Sequence, residues 1–298
     1  MSSTSPPPNI LSAFTPLTGG YSQAIAPGIR IVTLGGAGAT WWEGGVPVTV
    51  PLPNLPSDGT QWTANGKALH VGLGTIDLAS RTWNPEPSLA HWNMPGPQGD
   101  TPVKAVAWFE GADHVALLLE SRSGGTRATE IVVTSATDGR ARGRRVIEGA
   151  SALVATADRL MVAGQKVVLL DLDANVVAEP AGMPLSVLRV RKGAGTFAAL
   201  GAAGSVALVR PADGAVLGTW DVRAVDAVPM PGGVVAVAFD GKVNVGCLEG
   251  DTVRTVAQVE SGVAAPVIQI VGDKVVVAGA GANPVRMATL VDPCRRTR

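Results

Sequence analysis

Short runs of apolar residues, separated by glycine and aspartate, recur along the chain. Residues 196–220 (TFAALGAAGSVALVRPADGAVLGTW) contain three such runs, with breaks at 202–204 and 212–214. Runs of this length between Gly and Asp-Gly turns are typical of antiparallel strands joined by hairpins. A fourth run, Leu185–Arg191, precedes them and completes a four-stranded meander. Because such a meander cannot cover both of its faces alone, the pattern predicts copies of it stacked on either side.

The same meander can be placed along nearly the whole chain with a period of about 40 residues, which is typical of a β-propeller blade. We therefore predict an all-β fold, a seven-bladed β-propeller with four antiparallel strands in each blade. The second strands of the predicted blades begin near Ile29, Lys67, His114, Arg159, Thr196, Val234 and Lys274.

Two segments decide how the predicted ring is completed. The last blade has only three strands, which would leave an open sheet edge. Asn9–Thr15 is predicted to supply its outer strand and so to close the ring. In blade two, the less regular segment Ser88–Met94 (SLAHWNM) is predicted as the fourth strand. The propeller is expected to be a single domain over residues 9–294, after a disordered leader (1–8) and before a frayed tail (295–298).

Blades four and five carry a more specific repeat. In blade five a strand, a small-residue Gly turn and a strand ending in an acidic-Gly turn are followed by a strand that closes on Trp220. Blade four (Arg159–Gly182) is similar, with Asn175 in the turn. This order resembles the quinoprotein-like (PQQ-type) propeller repeat, most closely over blades four to six. The architecture is also WD40-like, without the Gly-His and Trp-Asp pairs. The resemblance implies a propeller, and because many propellers with this motif hold no cofactor, none is expected.

Composition and charge narrow the range of functions. Hydrophobic residues make up 46% of the chain and charged residues 16%, which is enough apolar material for a continuous core. The net charge is zero, and a nucleic-acid binder usually has a basic surplus, so no nucleic-acid partner is predicted. Neither a secretory signal nor a membrane span is evident, so a cytoplasmic protein with no membrane partner is expected.

The chain has two cysteines, Cys247 and Cys294. They are too few for a disulfide framework and lack the spacing of metal ligands. Two reduced thiols in a cytoplasmic protein are the favoured interpretation, and a single bridge between them stays open.

Polar residues give no catalytic or metal site. The three histidines are scattered, and we interpret them as side chains in or beside strands. Asp171 and Asp173 lie near a turn with Asn175, and turn formation is favoured over a calcium loop, which would need more ligands. Three further aspartates occupy comparable turns between third and fourth strands. The residues concerned are His70, His91, His114, Asp138, Asp213 and Asp251.

An uneven distribution of Trp and Arg points to a binding surface. Six of the seven Trp lie in the first 108 residues, and the long loops 93–101 and 121–126 lie in or soon after this part of the chain, on the face that propeller topology assigns to both. Trp and Arg are common at interface hot spots. An arginine cluster marks the outer strand of blade three, where it guards a sheet edge or meets an acidic partner. The predicted partner-binding residues are Trp42, Trp92, Asn93, Arg122, Arg127, Arg140, Arg142, Arg144 and Arg145.

The sequence thus predicts a non-enzymatic scaffold or adaptor for protein–protein interaction, monomeric on its own. Its partner would be another protein, bound through the top-face loops and the rim of blades one to three. No metal is predicted. The alternative left open is an enzyme or small-ligand binder that uses the central channel, and it depends on fold analogy alone.

Overall fold

Strands account for nearly all regular structure in the computed structural model. The one helix among its described residues is a short 3-10 segment, Pro87–Asn93 (helix 87–93). No described helix combines the length and apolar character that a membrane crossing would need. The described residues are 10–16, 32–35, 38–41, 48–51, 63–64, 68–77, 79–93, 103–123, 126–184, 186–280, 285–291 and 294.

The first strands form three antiparallel sheets in chain order, after a two-residue strand β1 (Thr15–Pro16). Blade one contains β2 (Val32–Gly35), β3 (Gly38–Trp41) and β4 (Val48–Val50). Blade two contains β5 (Thr63–Ala64), β6 (Ala68–Val71), β7 (Gly74–Asp77) and β8 (Thr82–Pro85). Blade three contains β9 (Val103–Trp108), β10 (His114–Ser123), β11 (Thr126–Ser135) and β12 (Ala141–Val146).

The later blades are more regular. Blade four contains β13 (Ala152–Ala155), β14 (Leu160–Ala163), β15 (Val167–Leu170) and β16 (Val176–Ala178). Blade five contains β17 (Val187–Gly193), β18 (Thr196–Gly201), β19 (Ser205–Val209) and β20 (Val216–Asp221). Blade six contains β21 (Ala224–Met230), β22 (Gly233–Ala238), β23 (Lys242–Glu249) and β24 (Thr252–Glu260). The last blade contains β25 (Ala264–Val271), β26 (Lys274–Ala280) and β27 (Val285–Thr289).

The N-terminal segment completes the last blade, as we predicted from the open edge that three strands would leave. β1 pairs antiparallel with β27, and Leu11 forms a further bridge with Leu290. The backbone N–H of Ser12 donates to the carbonyl oxygen of Thr289 (3.0 Å), and the Thr289 N–H donates to Ser12 Oγ (2.8 Å). The prediction that an N-terminal strand closes the last blade is therefore confirmed. The blade count of seven stays a prediction, and the predicted leader and tail lie outside the described residues.

The core of the described blades lies between neighbouring sheets, and the sheet of blade four is buried on both faces. In β14, Leu160 and Val162 pack against blade three, whereas Met161 and Ala163 pack against blade five. Alternate residues of one strand therefore face different blades. This explains why the strands appear in the sequence as continuous apolar runs, since a sheet with one solvated face would alternate apolar and polar residues.

Blade two departs from the prediction at its fourth strand, which is β8 in the sheet order β5-β6-β7-β8. β6, predicted as its second strand, packs beside β9, the first strand of blade three. The Trp108 indole at the end of β9 donates to the carbonyl oxygen of Gly72 (2.9 Å), directly after β6. β6 therefore meets the inner strand of blade three, while β5 pairs with one edge of β6. The predicted fourth strand Ser88–Met94 is wrong, because helix 87–93 occupies that place.

The two cysteines are bonded to each other. Cys247 on β23 and Cys294 form a disulfide with a Cα–Cα distance of 5.4 Å. The favoured interpretation of two reduced thiols is wrong, because strand pairing brings together two residues separated by 47 positions in the sequence. Disulfides persist mainly in oxidising compartments, so the predicted cytoplasmic location loses the support of the cysteines.

Candidate interaction surface

Helix 87–93 connects blades two and three and packs against blade three. It begins with Pro87, whose fixed φ suits a first helical turn. Leu89 donates its N–H to the carbonyl oxygen of Glu86 (3.0 Å) and is fully buried in the apolar cluster of blade three. The hydroxyl of Ser88 donates to the carbonyl oxygen of Ala136, in the turn between β11 and β12. The helix is thus fixed by one buried side chain and one hydrogen bond across the blades.

Trp92, near the end of this helix, is half-buried and held in place. Its indole Nε1 donates to the carbonyl oxygen of Gly139 (3.2 Å) in the same β11–β12 turn. The ring of His91 lies beside it, with ring centroids 4.9 Å apart. The predicted site residue Trp92 therefore presents a fixed, half-exposed aromatic ring at the rim of blade three.

Gly139 permits this close approach. Its φ is 70°, and a Cβ there would collide with the Ser88 carbonyl oxygen and lie 2.7 Å from His91 Cε1. We expect Gly139→Ala to lower the free energy of unfolding by about 2–3 kcal/mol, because a strained backbone and a backbone clash combine. Urea unfolding measures the loss.

The matched control is Gly182→Ala. Gly182 has a φ of 73°, but a Cβ there would meet no atom within 4 Å. This variant isolates the backbone strain of a left-handed residue, expected at about 1 kcal/mol. Equal losses in the two variants would show that helix 87–93 does not press against the turn.

Arg144 covers the exposed face of Trp92. Its guanidinium carbon lies 5.2 Å from the ring centroid, within the range of a cation–π contact. The side chain also pairs with Glu130 at 3.4 Å. Val132 lies opposite Arg144 in the β11–β12 ladder, which sets its position along the outer strand. A fixed Trp and a fixed Arg thus lie side by side on the same rim.

Arg142 lies next along β12, where the pairing with β11 has an irregularity. Its Nε donates to Asp173 Oδ1 (2.6 Å) in blade four, and Nη1 lies 3.4 Å from His114 Nε2. The hydrogen bond to Asp173 raises the pKa of Arg142. The cation is therefore fixed between two blades, with part of the side chain exposed.

The two remaining arginines of the cluster, Arg145 on β12 and Arg140 just before it, differ from each other in role. Arg145 Nε donates to the carbonyl oxygen of Ala174 in blade four (2.8 Å), which links neighbouring blades. Arg140 is exposed and approaches Asp138 at 3.8 Å. The backbone N–H of Arg140 lowers the pKa of Asp138. Arg140 is therefore accessible to a partner, whereas Arg145 is largely committed to the fold.

The other predicted site residues do not all join this group. Arg122 and Arg127 lie opposite each other at the far end of the β10–β11 hairpin. Arg127 and Ser135 lie near opposite ends of β11, about 26 Å apart at the usual rise of a strand. Ser135 adjoins the turn that contains Arg140. Asn93 ends helix 87–93, its side chain is outside the described atoms, and Trp42 is outside the described residues.

Other polar side chains serve the fold. Burial lowers the pKa of His70, which stacks at 4.7 Å against Trp108. Asp171 accepts the backbone N–H groups of Asp173 (2.9 Å) and Asn175 (2.8 Å), a turn-forming arrangement that confirms its predicted role. Among the described residues, no group of His, Cys, Asp or Glu could hold a metal ion.

A buried ion cluster joins the inner strands of the last three blades. Asp226 on β21 is fully buried and accepts two hydrogen bonds from Arg191 on β17, from Nε (3.0 Å) and Nη2 (2.7 Å). Arg189 lies 3.4 Å from Asp226 Oδ1, and the N–H of Ile268 on β25 donates to Oδ2 (3.0 Å). Ala227 adds its own N–H (3.1 Å). One carboxylate thus joins three blades.

The Asp226 cluster was not predicted, although the sequence contains a signal for it. Arg189 and Arg191 alternate in LSVLRVR on a strand predicted as inner, and Asp226 interrupts the apolar run AVDAVPM. A charged residue in such a run requires a partner. Burial alone would raise the pKa of Asp226, but the charge and hydrogen bonds of Arg191 outweigh it, and the pKa is lowered.

Several solved structures are similar to the chain at low sequence identity. A structure of the mitotic checkpoint complex aligns with a TM-score of 0.62 and 14% identity, over 98% of this chain and 96% of that chain. The WD40 β-propeller domain of Doa1 aligns with a TM-score of 0.60 and 13% identity, over 95% and 93%. BamB from Moraxella catarrhalis aligns with a TM-score of 0.53 and 14% identity, over 88% and 81%.

The fold is a β-propeller. The all-β propeller predicted from the sequence is confirmed, and at these identities the likeness shows the fold alone. The sequence matches no protein-family model and no curated protein. The likeness to the PQQ-type repeat in particular stays a resemblance.

Proposed function

We propose that this propeller is a non-enzymatic scaffold that binds another protein through the rim of blades two and three. The observation that carries the proposal is the Arg144 guanidinium placed over the half-exposed ring of Trp92. Trp and Arg are enriched among residues that dominate binding energies. Both are held before any partner arrives, Trp92 by Gly139 and Arg144 by Glu130. A pre-organised pair loses less entropy on binding.

The surface around the pair extends the contact. Arg142 on β12 and the exposed Arg140 just before the strand lie next to the pair, and Val146 at the end of β12 is 68% exposed. Since β12 is the outer strand of its sheet, a partner can reach these residues from the side of the propeller. Propellers of the WD40 type commonly act as interaction scaffolds, which agrees with this function by analogy of fold.

The test compares two double charge reversals in the tagged full-length chain. Arg142→Glu with Arg144→Glu should reduce recovery of a co-purifying protein at least tenfold, because the variant replaces two fixed cations with anions. Trp92→Ala should reduce it to a similar extent. Quantitative mass spectrometry of the captured proteins at low salt measures recovery.

The matched control is Arg210→Glu with Arg254→Glu. Arg210 matches Arg142, because its Nε donates to Asp213 at 2.9 Å. Arg254 matches Arg144, because it pairs with Glu249 at 3.4 Å. All four arginines are at least 41% exposed. If the control variant loses the same protein to the same extent, the partner responds to overall charge and the rim is not its site.

A further inference from the structure

The inner strands of blades five, six and seven share an irregularity near their first residues. In each, the pairing with the second strand of the blade skips a position, after Val187 in β17, after Ala224 in β21 and after Ala264 in β25. A bulge of this kind re-aims a side chain out of the regular ladder. Three neighbouring strands bulge at the same end, which indicates one shared surface.

Apolar side chains lie at or beside these bulges, and two of those on the inner strands are exposed. Leu188, the extra residue of β17, is 63% exposed, and Val267 on β25 is 40% exposed. Val225, the extra residue of β21, is half-buried and packs against the core between blade six and the last blade. Phe239 follows Ala238, which pairs with the start of β21, and it is 71% exposed. We name these four residues the inner-strand patch.

The Asp226 cluster fixes this patch in place. Leu188 immediately precedes Arg189, Val225 precedes Asp226, and Val267 precedes Ile268. Arg189, Asp226 and Ile268 are joined through the Asp226 carboxylate. Because the Asp226 carboxylate links three blades one residue away from Leu188, Val225 and Val267, these three positions are held in place. Large exposed apolar residues grouped in this way mark binding surfaces more often than isolated ones do.

We propose that the inner-strand patch binds an extended segment of a partner protein that carries apolar side chains alternating with carboxylates. This site is separate from the rim of blades two and three. An extended segment points alternate side chains to one side, so its apolar residues can meet the exposed Leu188, Val267 and Phe239.

The positive charges beside the inner-strand patch favour an acidic segment as its binding partner. Arg189 and Arg191 share the single carboxylate of Asp226, so one positive charge is in excess at the patch. The Arg189 side chain is 37% exposed, and Arg223 at the start of β21 is exposed as well. A second copy of the chain would bring like charges together across a symmetric contact, which disfavours self-association there.

The experiment measures fluorescence polarisation of labelled peptides with the full-length chain. The probe alternates leucine and glutamate, and two control peptides replace glutamate with lysine or leucine with serine. The Leu/Glu peptide should bind saturably, and both control peptides at least tenfold more weakly, because each lacks one of the two contacts.

Matched variants locate the binding site of the peptide. Leu188→Ser with Phe239→Ser should weaken Leu/Glu peptide binding at least tenfold. Val176→Ser with Val177→Ser, which alters exposed apolar residues on the outer strand of blade four, should leave it unchanged. Arg142→Glu with Arg144→Glu should also leave it unchanged, so failure of this proposal is distinguishable from failure of the proposed function. Thermal unfolding confirms that each variant is folded.

Four results would overturn the proposal. One is absence of saturable Leu/Glu peptide binding up to millimolar concentration, and another is equal binding of the Leu/Lys peptide. The third is a wild-type dimer that the Leu188 and Phe239 substitutions convert to a monomer, which would assign the patch to self-association. The fourth is co-sedimentation with vesicles of phosphatidylcholine and phosphatidylglycerol that requires Leu188 and Phe239, which would assign it to a lipid surface.

Discussion

Asp226→Ala is expected to lower the free energy of unfolding by about 3–5 kcal/mol, because it leaves the Arg191 cation buried without its partner. Asp226 also accepts N–H groups from Ala227 and from Ile268 of the neighbouring blade, and these would lose their acceptor. Urea unfolding followed by circular dichroism measures the loss. A change below about 1 kcal/mol would show that the three inner strands do not depend on this carboxylate.

Asp213→Ala is the control for this prediction. Asp213 accepts two hydrogen bonds from Arg210 in the same bidentate arrangement, at 2.9 and 2.8 Å, but the pair is exposed. Its pKa is lowered to about 2 by the hydrogen bond from Arg210. Because water screens an exposed pair, its loss should have only a small effect on stability. Because both carboxylates accept two hydrogen bonds from one arginine, the difference in stability loss between Asp226→Ala and Asp213→Ala measures the effect of burial.

The same carboxylate gives a pH dependence with a defined sign. The pKa of Asp226 is lowered in the folded state, so the folded chain holds its proton less tightly than the unfolded chain does. The stabilisation is complete above the unfolded pKa, about 3.9, and is lost as the pH falls through the lower folded value. Wild-type stability should therefore fall more steeply below about pH 4 than that of Asp226→Ala.

Removal of the disulfide is expected to cost about 4 kcal/mol, since Cys247 and Cys294 close a loop with a sequence separation of 47 residues. The bridge restricts the unfolded chain and ties the segment after β27 to blade six. The double variant Cys247→Ala, Cys294→Ala and the wild type in dithiothreitol should lose stability equally in urea unfolding. Thiol titration in denaturant should find two thiols only after reduction.

Two results would contradict this prediction. If the wild type unfolds at the same urea concentration with and without dithiothreitol, the bridge does not constrain the chain. If thiols titrate before reduction, the bridge is not formed in the protein as isolated. In the latter case, the interpretation of two reduced thiols would apply after all.

Most of the fold could be predicted from local pattern. Gly and Asp-Gly turns separate short apolar runs, and their period of about 40 residues implies stacked blades, because an isolated meander leaves both faces bare. Asp171 could be assigned to a turn since its carboxylate bonds backbone groups only a few residues away. The N-terminal strand could be paired with the last blade because an unpaired edge requires a partner.

Less of the candidate site could be predicted. Trp92 and the β12 arginines lie together at one rim, whereas Arg122 and Arg127 lie at the other end of the hairpin, and their role in partner binding stays a prediction. Propeller topology assigns loops to faces only when the strand order of each blade is known. In blade two, helix 87–93 lies where the sequence predicted the fourth strand, and the fourth strand of the sheet is β8.

By itself, the sequence determined the β-strand content, the turns and the stacking of similar meanders, because these depend on residues close together in the chain. Only the tertiary structure decided the Cys247–Cys294 bridge, the Asp226 cluster and the Arg144–Trp92 stack. In each of these, partners 35 to 52 positions apart in the sequence, or on three different blades, must be brought within a few ångströms. Their approach depends on strand register and on bulges, which shift a side chain by one place without changing the apolar pattern that predicts the strand.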